Sequence, residues 1–174
     1  HVQKGPLVMA LDESGSMNGD PVERAKGFAL TMAYLAQHQR RWCCLVGFSG
    51  GTDGTYLTLP PGRWDQSALV DWLEHFYGGG TVCDVPLREL PARWDALGCP
   101  KGKTDLILVT DAIVHVPTAM RETFLAWKAK EKVRCISMVI GHGQAGDLAA
   151  VSDEVHLMRE IDVTNEGVEK CLSI

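Results

Sequence analysis

The chain has 174 residues and a formal net charge of −5, with 45% hydrophobic and 22% charged residues. That length suits one domain with a sizeable core, and the balance is that of a globular chain and not a disordered one. No apolar run approaches the roughly 20 residues of a membrane span, and the cations fall in short scattered groups such as "QRRW" and "KAKEKVR", which argues against a nucleic-acid surface. The opening "HVQKGP" reads as the cut edge of a longer chain, so a targeting segment would lie outside it. Six cysteines (Cys43, Cys44, Cys83, Cys99, Cys135, Cys171) admit disulfides by their even number, and none has the spacing of a metal knuckle. Cys44 and Cys135 sit in apolar runs, where free cysteine acts as a small hydrophobe. A reducing, cytoplasmic setting is the expectation.

In chain order, "PLVMALD" (6–12) reads as a buried strand. "PVERAKGFALTMAYLAQHQ" (21–39) is an amphipathic helix with Pro21 suited to its first turn. "RWCCLVGFS" (41–49) is a second strand, and the more polar, alternating "TYLTLP" (55–60) belongs at a sheet edge, antiparallel to its neighbour. "DQSALVDWLEHF" (65–76) is helical and leads to the glycines Gly78, Gly79 and Gly80. The helix "VPLRELPARWDAL" (85–97) follows, with Pro91 expected to shorten or bend it. Strand "DLILVTD" (105–111), helix "TAMRETFLAWKAKEK" (118–132) and strand "RCISMVIG" (134–141) come next, then a short helix near "AGDLAAV". A weak strand "EVHLMR" and a terminal helix "NEGVEKCLS" close the chain. Apolar runs separated by helices require crossover connections, hence a mostly parallel sheet covered on both faces. The expected architecture is a single α/β domain over residues 1–174. It is a Rossmann-like three-layer sandwich with a mostly parallel central sheet, one antiparallel edge strand and helices on both faces.

In such sheets, function collects at the carboxyl ends of the strands near the topological switch point. Three oxygen-rich loops fall there: "DESGS" with Asp12, Ser14 and Ser16, "GGGT" with Thr81, and "TD" with Thr110 and Asp111. A turn after the first strand would need only one such side chain. Carboxylates and hydroxyls in small number are hard ligands, which suit Mg²⁺ or Mn²⁺ (or Ca²⁺) and not zinc.

Asp12-x-Ser14-x-Ser16, Thr81 and Asp111 together resemble the metal-ion-dependent adhesion site of the von Willebrand factor type A family, and the likeness spans nearly the whole chain. The resemblance implies that Ser14 and Ser16 coordinate the cation directly. Thr81 does so in the ligand-bound state, and Asp12 and Asp111 hold it mainly through waters. Hydroxyl ligands leave the cation much of its charge, so an open position attracts a Glu or Asp carboxylate from a protein partner. "GGGT" and "QRRW" are most similar to bacterial intracellular members that partner MoxR-type AAA+ ATPases. The implied function is a metal-dependent protein-interaction module and not an enzyme, with no nucleic-acid or membrane partner. An extracellular adhesion domain would use the same site.

Other readings compete. Ser14 or Ser16 could cap the helix beginning near Pro21, with Asp12 satisfying loop amides. Many family members place an acid right after the Thr, whereas here Val82 intervenes and Asp84 comes later; Asp84 reads as a helix N-cap or as a group supporting the ligands from behind. "GFSGG" (47–51) fits a nucleophile elbow, and Ser49, Asp111 and His142 fall in hydrolase order, but an elbow must pass from strand directly into helix. "GCPKGKT" (98–104) echoes a phosphate loop with one residue too few, ahead of a strand and not a helix. His115 and His142 are rim candidates only.

Overall fold

The computed structural model describes residues 4–50, 53–80, 84–111, 115–141 and 144–174, and of Asp84 the backbone alone. Six strands form one sheet: β1 Leu7–Asp12, β2 Cys43–Phe48, β3 Thr55–Leu59, β4 Thr104–Thr110, β5 Val133–Ile140 and β6 Glu154–Met158. Their order is β3-β2-β1-β4-β5-β6, and every pairing is parallel except β2 with β3. The exception has a simple cause. Only residues 49–54 separate β2 from β3, and a parallel crossover needs a dozen or more.

Six helices complete the fold: α1 Asp20–His38, α2 Gln66–Glu74, α3 Asp84–Leu97, α4 Thr118–Glu131, α5 Leu148–Val151 and α6 Glu166–Leu172. All of β1 is buried, and its alternation feeds two cores. Leu7, Met9 and Leu11 pack with Phe28 and Met32 of α1, Trp72 of α2 and Cys171 of α6. Val8 and Ala10 face the other way, towards Leu90 and Trp94 of α3, Phe124 and Trp127 of α4 and Val151 of α5. The three-layer sandwich is therefore as expected, with the edge strand where the alternating "TYLTLP" placed it. Pro91 does not break α3, which runs as one helix on either side of it. Buried Leu87, Leu90 and Trp94 hold both halves against the sheet and outweigh the one backbone bond that proline cannot make.

The serines after β1 do not cap α1. The N-cap of α1 is Gly19, with Pro21 in the first turn and no side chain bonded to the helix end. What positions the loop is the sheet. β1 and β4 are hydrogen-bonded neighbours, Leu11 opposite Val109, yet far apart in sequence. The chain leaves β1 to one side and returns through β4 on the other, so their carboxyl ends flank the switch point. Amide hydrogen exchange should be slowest in Leu7–Leu11 and Leu106–Val109, and faster by orders of magnitude in β3, which NMR exchange rates would check.

Candidate functional site

Asp12 ends β1 with its side chain fully buried. Both carboxylate oxygens accept hydrogen bonds, Oδ1 from Ser14 N at 2.8 Å and Oδ2 from Thr110 Oγ1 at 2.7 Å. Ser14 Oγ lies 3.1 Å from Ser16 Oγ, and Ser16 Oγ donates to Asp111 Oδ1 at 3.0 Å. Four of the five residues singled out by sequence thus form one hydrogen-bonded chain across two strand ends. It rises from buried Asp12 and Ser14 to exposed Ser16 and half-buried Asp111. The short 3-10 turn Gly15–Met17 gives the two hydroxyls their common direction.

Burial pushes the Asp12 carboxyl above its ordinary pKa, and the neighbouring Asp111 charge adds to the rise. No cation contacts Asp12 among the described residues. Hydrogen bonds from Ser14 and Thr110 compensate that burial only in part, and a divalent cation would offset the remainder. Among the described residues no three His, Cys, Asp or Glu side chains converge as a metal set. The donors on offer are two carboxylates and two hydroxyls, a set that fits a hard cation completing its shell with water.

Thr81 lies outside the described residues, but the glycines before it do not. Gly78 and Gly79 adopt φ of 71° and 77°, the left-handed region that favours glycine. Gly78 N donates to Glu13 O at 2.9 Å, and Gly15 N donates to Gly79 O at 2.8 Å. The glycine stretch Gly78–Gly79 is thereby laced directly to the "DESGS" loop. Ser49, also buried, clamps it from behind. Its Oγ lies 2.6 Å from Gly78 O and 2.9 Å from Gly80 O, donating its one proton to either. This removes the nucleophile elbow: β2 runs through residues 49–54 into an antiparallel strand, and the Ser49 hydroxyl faces carbonyls and not solvent. His142 is outside the described residues. His115 is exposed, 3.0 Å from Asp147 Oδ2, and does not join the cluster. Asp84 is the first residue of α3, and its side chain is not described. The "GCPKGKT" loop sits at the other end of the sheet, ahead of β4.

Sequence reasoning missed the group immediately behind the cluster. Glu13, between two of the singled-out residues, points inward and is fully buried. Its Oε2 meets Lys26 Nζ of α1 at 3.1 Å and its Oε1 meets His75 Nδ1 at 3.1 Å. Lys26 also donates to Trp72 O at 2.7 Å and stands 3.6 Å from the Trp72 ring centroid. Burial lowers the Lys26 pKa, against the pull of Glu13. Gly47 makes room: a Cβ there would fall 1.7 Å from Glu13 Oε2. The signals were present as a lysine on the apolar face of α1 and a glycine inside the strand "CCLVGF". Five cysteines are free, and burial pushes the thiols of Cys43 and Cys171 up to about 12 and that of Cys135 to about 11, so they stay protonated and inert. Cys83 lies outside the described residues.

No family profile matches the chain. It is similar to an uncharacterised protein of Methanocaldococcus jannaschii, 27% identical over 97% of this chain and 37% of that one. It is also similar to the regulatory protein ViaA of Proteus mirabilis, 30% identical over 64% of this chain and 22% of that one. The chain thus spans well under half the length of these curated relatives. Among solved structures it matches a von Willebrand factor type A protein from Catenulispora acidiphila, with TM-score 0.71 and 16% identity over 98% of this chain and 41% of that one. It also matches proximal thread matrix protein 1 from mussel byssus, whose MIDAS motif is occupied by zinc, with TM-score 0.72 and 14% identity over 97% of this chain and 44% of that one. The six-stranded sheet and its surrounding helices are the von Willebrand factor type A fold.

The buried pair behind the loop makes a stability prediction. Lys26→Met removes the ammonium that meets Glu13 Oε2 in the core, and should cost about 3–5 kcal/mol. Glu13→Gln in the same chain should recover part of that loss, because the stranded charge is gone. Thermal unfolding of both singles and the double measures the coupling; strict additivity would mean that the pair does not act as one unit.

Proposed function

We propose that the chain is a divalent-cation-dependent protein-interaction module, part of a longer polypeptide, and not an enzyme. Asp12, Ser14, Ser16 and Asp111 hold the cation together with Thr81, and the cation docks a Glu or Asp carboxylate of a partner. The single observation that carries this reading is the hydrogen-bonded chain Asp12–Ser14–Ser16–Asp111 at the switch point, with a buried carboxylate that no cationic side chain meets among the described residues. The von Willebrand factor type A fold and a zinc-occupied MIDAS in one structural neighbour support it. The bound cation supplies positive charge for an incoming carboxylate. Neutral hydroxyl donors leave that charge largely intact, and Mg²⁺ is the ion whose preferences the oxygen set meets best, with Mn²⁺ and Ca²⁺ next. The partner's class is finer still. By resemblance it is a MoxR-type AAA+ ATPase in the cytoplasm, and the likeness to a regulatory protein and the protonated, free thiols are in keeping with that.

At a Mg²⁺ concentration about 100-fold above Kd, binding should stabilise the fold by about 2.7 kcal/mol, a rise in Tm of roughly 5–10 °C for a domain of this size. Asp12→Ala and Ser14→Ala should abolish that rise while the metal-free protein still unfolds cooperatively. A Tm that rises equally in the variants would place the ion elsewhere.

Thr81 separates holding the ion from using it. The other four residues keep a hydrated cation, so Thr81→Ala should leave Mg²⁺ affinity within about threefold. The same change should weaken capture of a partner from cell extract by a factor of about 5–150, the range of a typical coupling. Calorimetry for the metal and chelator-reversible capture for the partner decide the matter; equal losses would make Thr81 an ordinary ligand.

A further inference from the structure

The cations that look scattered along the chain are gathered by the fold at one pole. At the amino-terminal ends of the parallel strands, away from the carboxylate–hydroxyl cluster, two adjoining clefts of about 350 and 650 Å³ share Lys4, Gly5 and Lys103 in their walls. Seven Lys or Arg residues line the two clefts against two Asp, in a chain whose net charge is −5. Three of the seven are committed internally: Arg41 and Arg134 share Asp105, and Lys101 meets Glu131. Of the other four, all exposed, Lys4 donates to the backbone carbonyl of Ile174, while Arg40, Lys103 and Lys132 have no carboxylate partner among the described residues.

Two of these four stand where the backbone would favour another residue. Arg40 and Lys132 have φ of 54° and 55°, the only positive values outside glycine among the described residues. Glycine or asparagine would suit both positions better. Cations there do complement the carboxyl ends of α1 and α4. Lys4 and Lys103, however, belong to no helix, so helix ends do not account for the patch. The clefts offer no platform for nucleobases, since Trp42, their one aromatic, is 7% exposed. A long polyanion would also feel the net negative charge, whereas a short acidic segment is screened from the far pole beyond a Debye length of about 10 Å.

We propose that this pole is a second docking surface, which takes a Glu- or Asp-rich segment of a protein partner by charge pairing. It does not depend on any cation at Asp12–Asp111. Fluorescence anisotropy with a labelled deca-glutamate peptide at low salt, about 20 mM, tests it. The triple variant Arg40→Asn, Lys103→Gln, Lys132→Asn removes three of the unpaired charges. Asparagine suits the left-handed backbone, so Tm should hold or rise. Peptide affinity should fall about tenfold or more in the variant and fall likewise at high salt. With chelator present throughout, so that no cation at Asp12–Asp111 can recruit the peptide, affinity should be indifferent to Asp12→Ala and to Arg121→Gln, a control in the first turns of α4 at the opposite pole. Four outcomes overturn the proposal: no peptide binding, equal weakening by the control, tighter binding of labelled decathymidylate than of the peptide, or self-association in sedimentation that the triple variant abolishes.

Discussion

The loop that carries the metal-binding candidates is held in place by a carboxylate that points away from it. Glu13 sits between Asp12 and Ser14, but its side chain turns inward, where Lys26 and His75 meet it and Gly47 leaves it space. Its backbone N donates to Phe48 O and its backbone O accepts from Gly78 N. One residue therefore ties the end of β1 to β2, to α1, to the end of α2 and to the glycine loop that leads to Thr81. Such a buried pair is a poor source of stability compared with apolar packing, yet breaking it is costly because a charge is then stranded. Its effect is to fix the geometry of its neighbours. Asp12, Ser14 and Ser16 are spaced around a residue that is bonded at its backbone N, its backbone O and both carboxylate oxygens.

The fold was legible in the sequence because its periodicities are strong. Near-continuous apolar runs such as "LVMAL" and "LILV" have no place except the middle of a parallel sheet, and the alternating "TYLTLP" has none except an edge. That Asp12, Ser14, Ser16 and Asp111 come together was legible as well, because each ends or follows a buried strand and β1 and β4 are neighbours in the sheet. Glu13 was not legible. A Glu inside a loop normally faces water, and its burial depends on a lysine thirteen residues on and a histidine sixty-two residues on. Pairings across such separations leave no local pattern. Ser49 misled for the opposite reason: a local pattern was present, and only the antiparallel course of the following strand showed that its hydroxyl serves the backbone.

A parallel sheet gives the molecule polarity. Helices run back against the strands, so their amino ends gather with the strand carboxyl ends, and their carboxyl ends gather at the other pole. The first pole favours anions and offers oxygen donors for a cation between them. The second favours cations, and residues from "QRRW", "PKGK" and "EKVR" meet there although they are remote in sequence. Arg41 is the internal anchor of that pole, bonding Gly5 O and sharing Asp105 with Arg134.

The side chain of Lys4 reaches the backbone carbonyl of Ile174. Residues 170 positions apart in the chain thus meet at the pole opposite the carboxylate–hydroxyl cluster. Lys4 and Ile174 also line one wall of the larger basic cleft, so a contact between the two ends of the sheet's sequence is built into the pole where the cations gather. Whatever engages that pole leaves the Asp12–Asp111 face clear, because the two lie at opposite ends of the same strands.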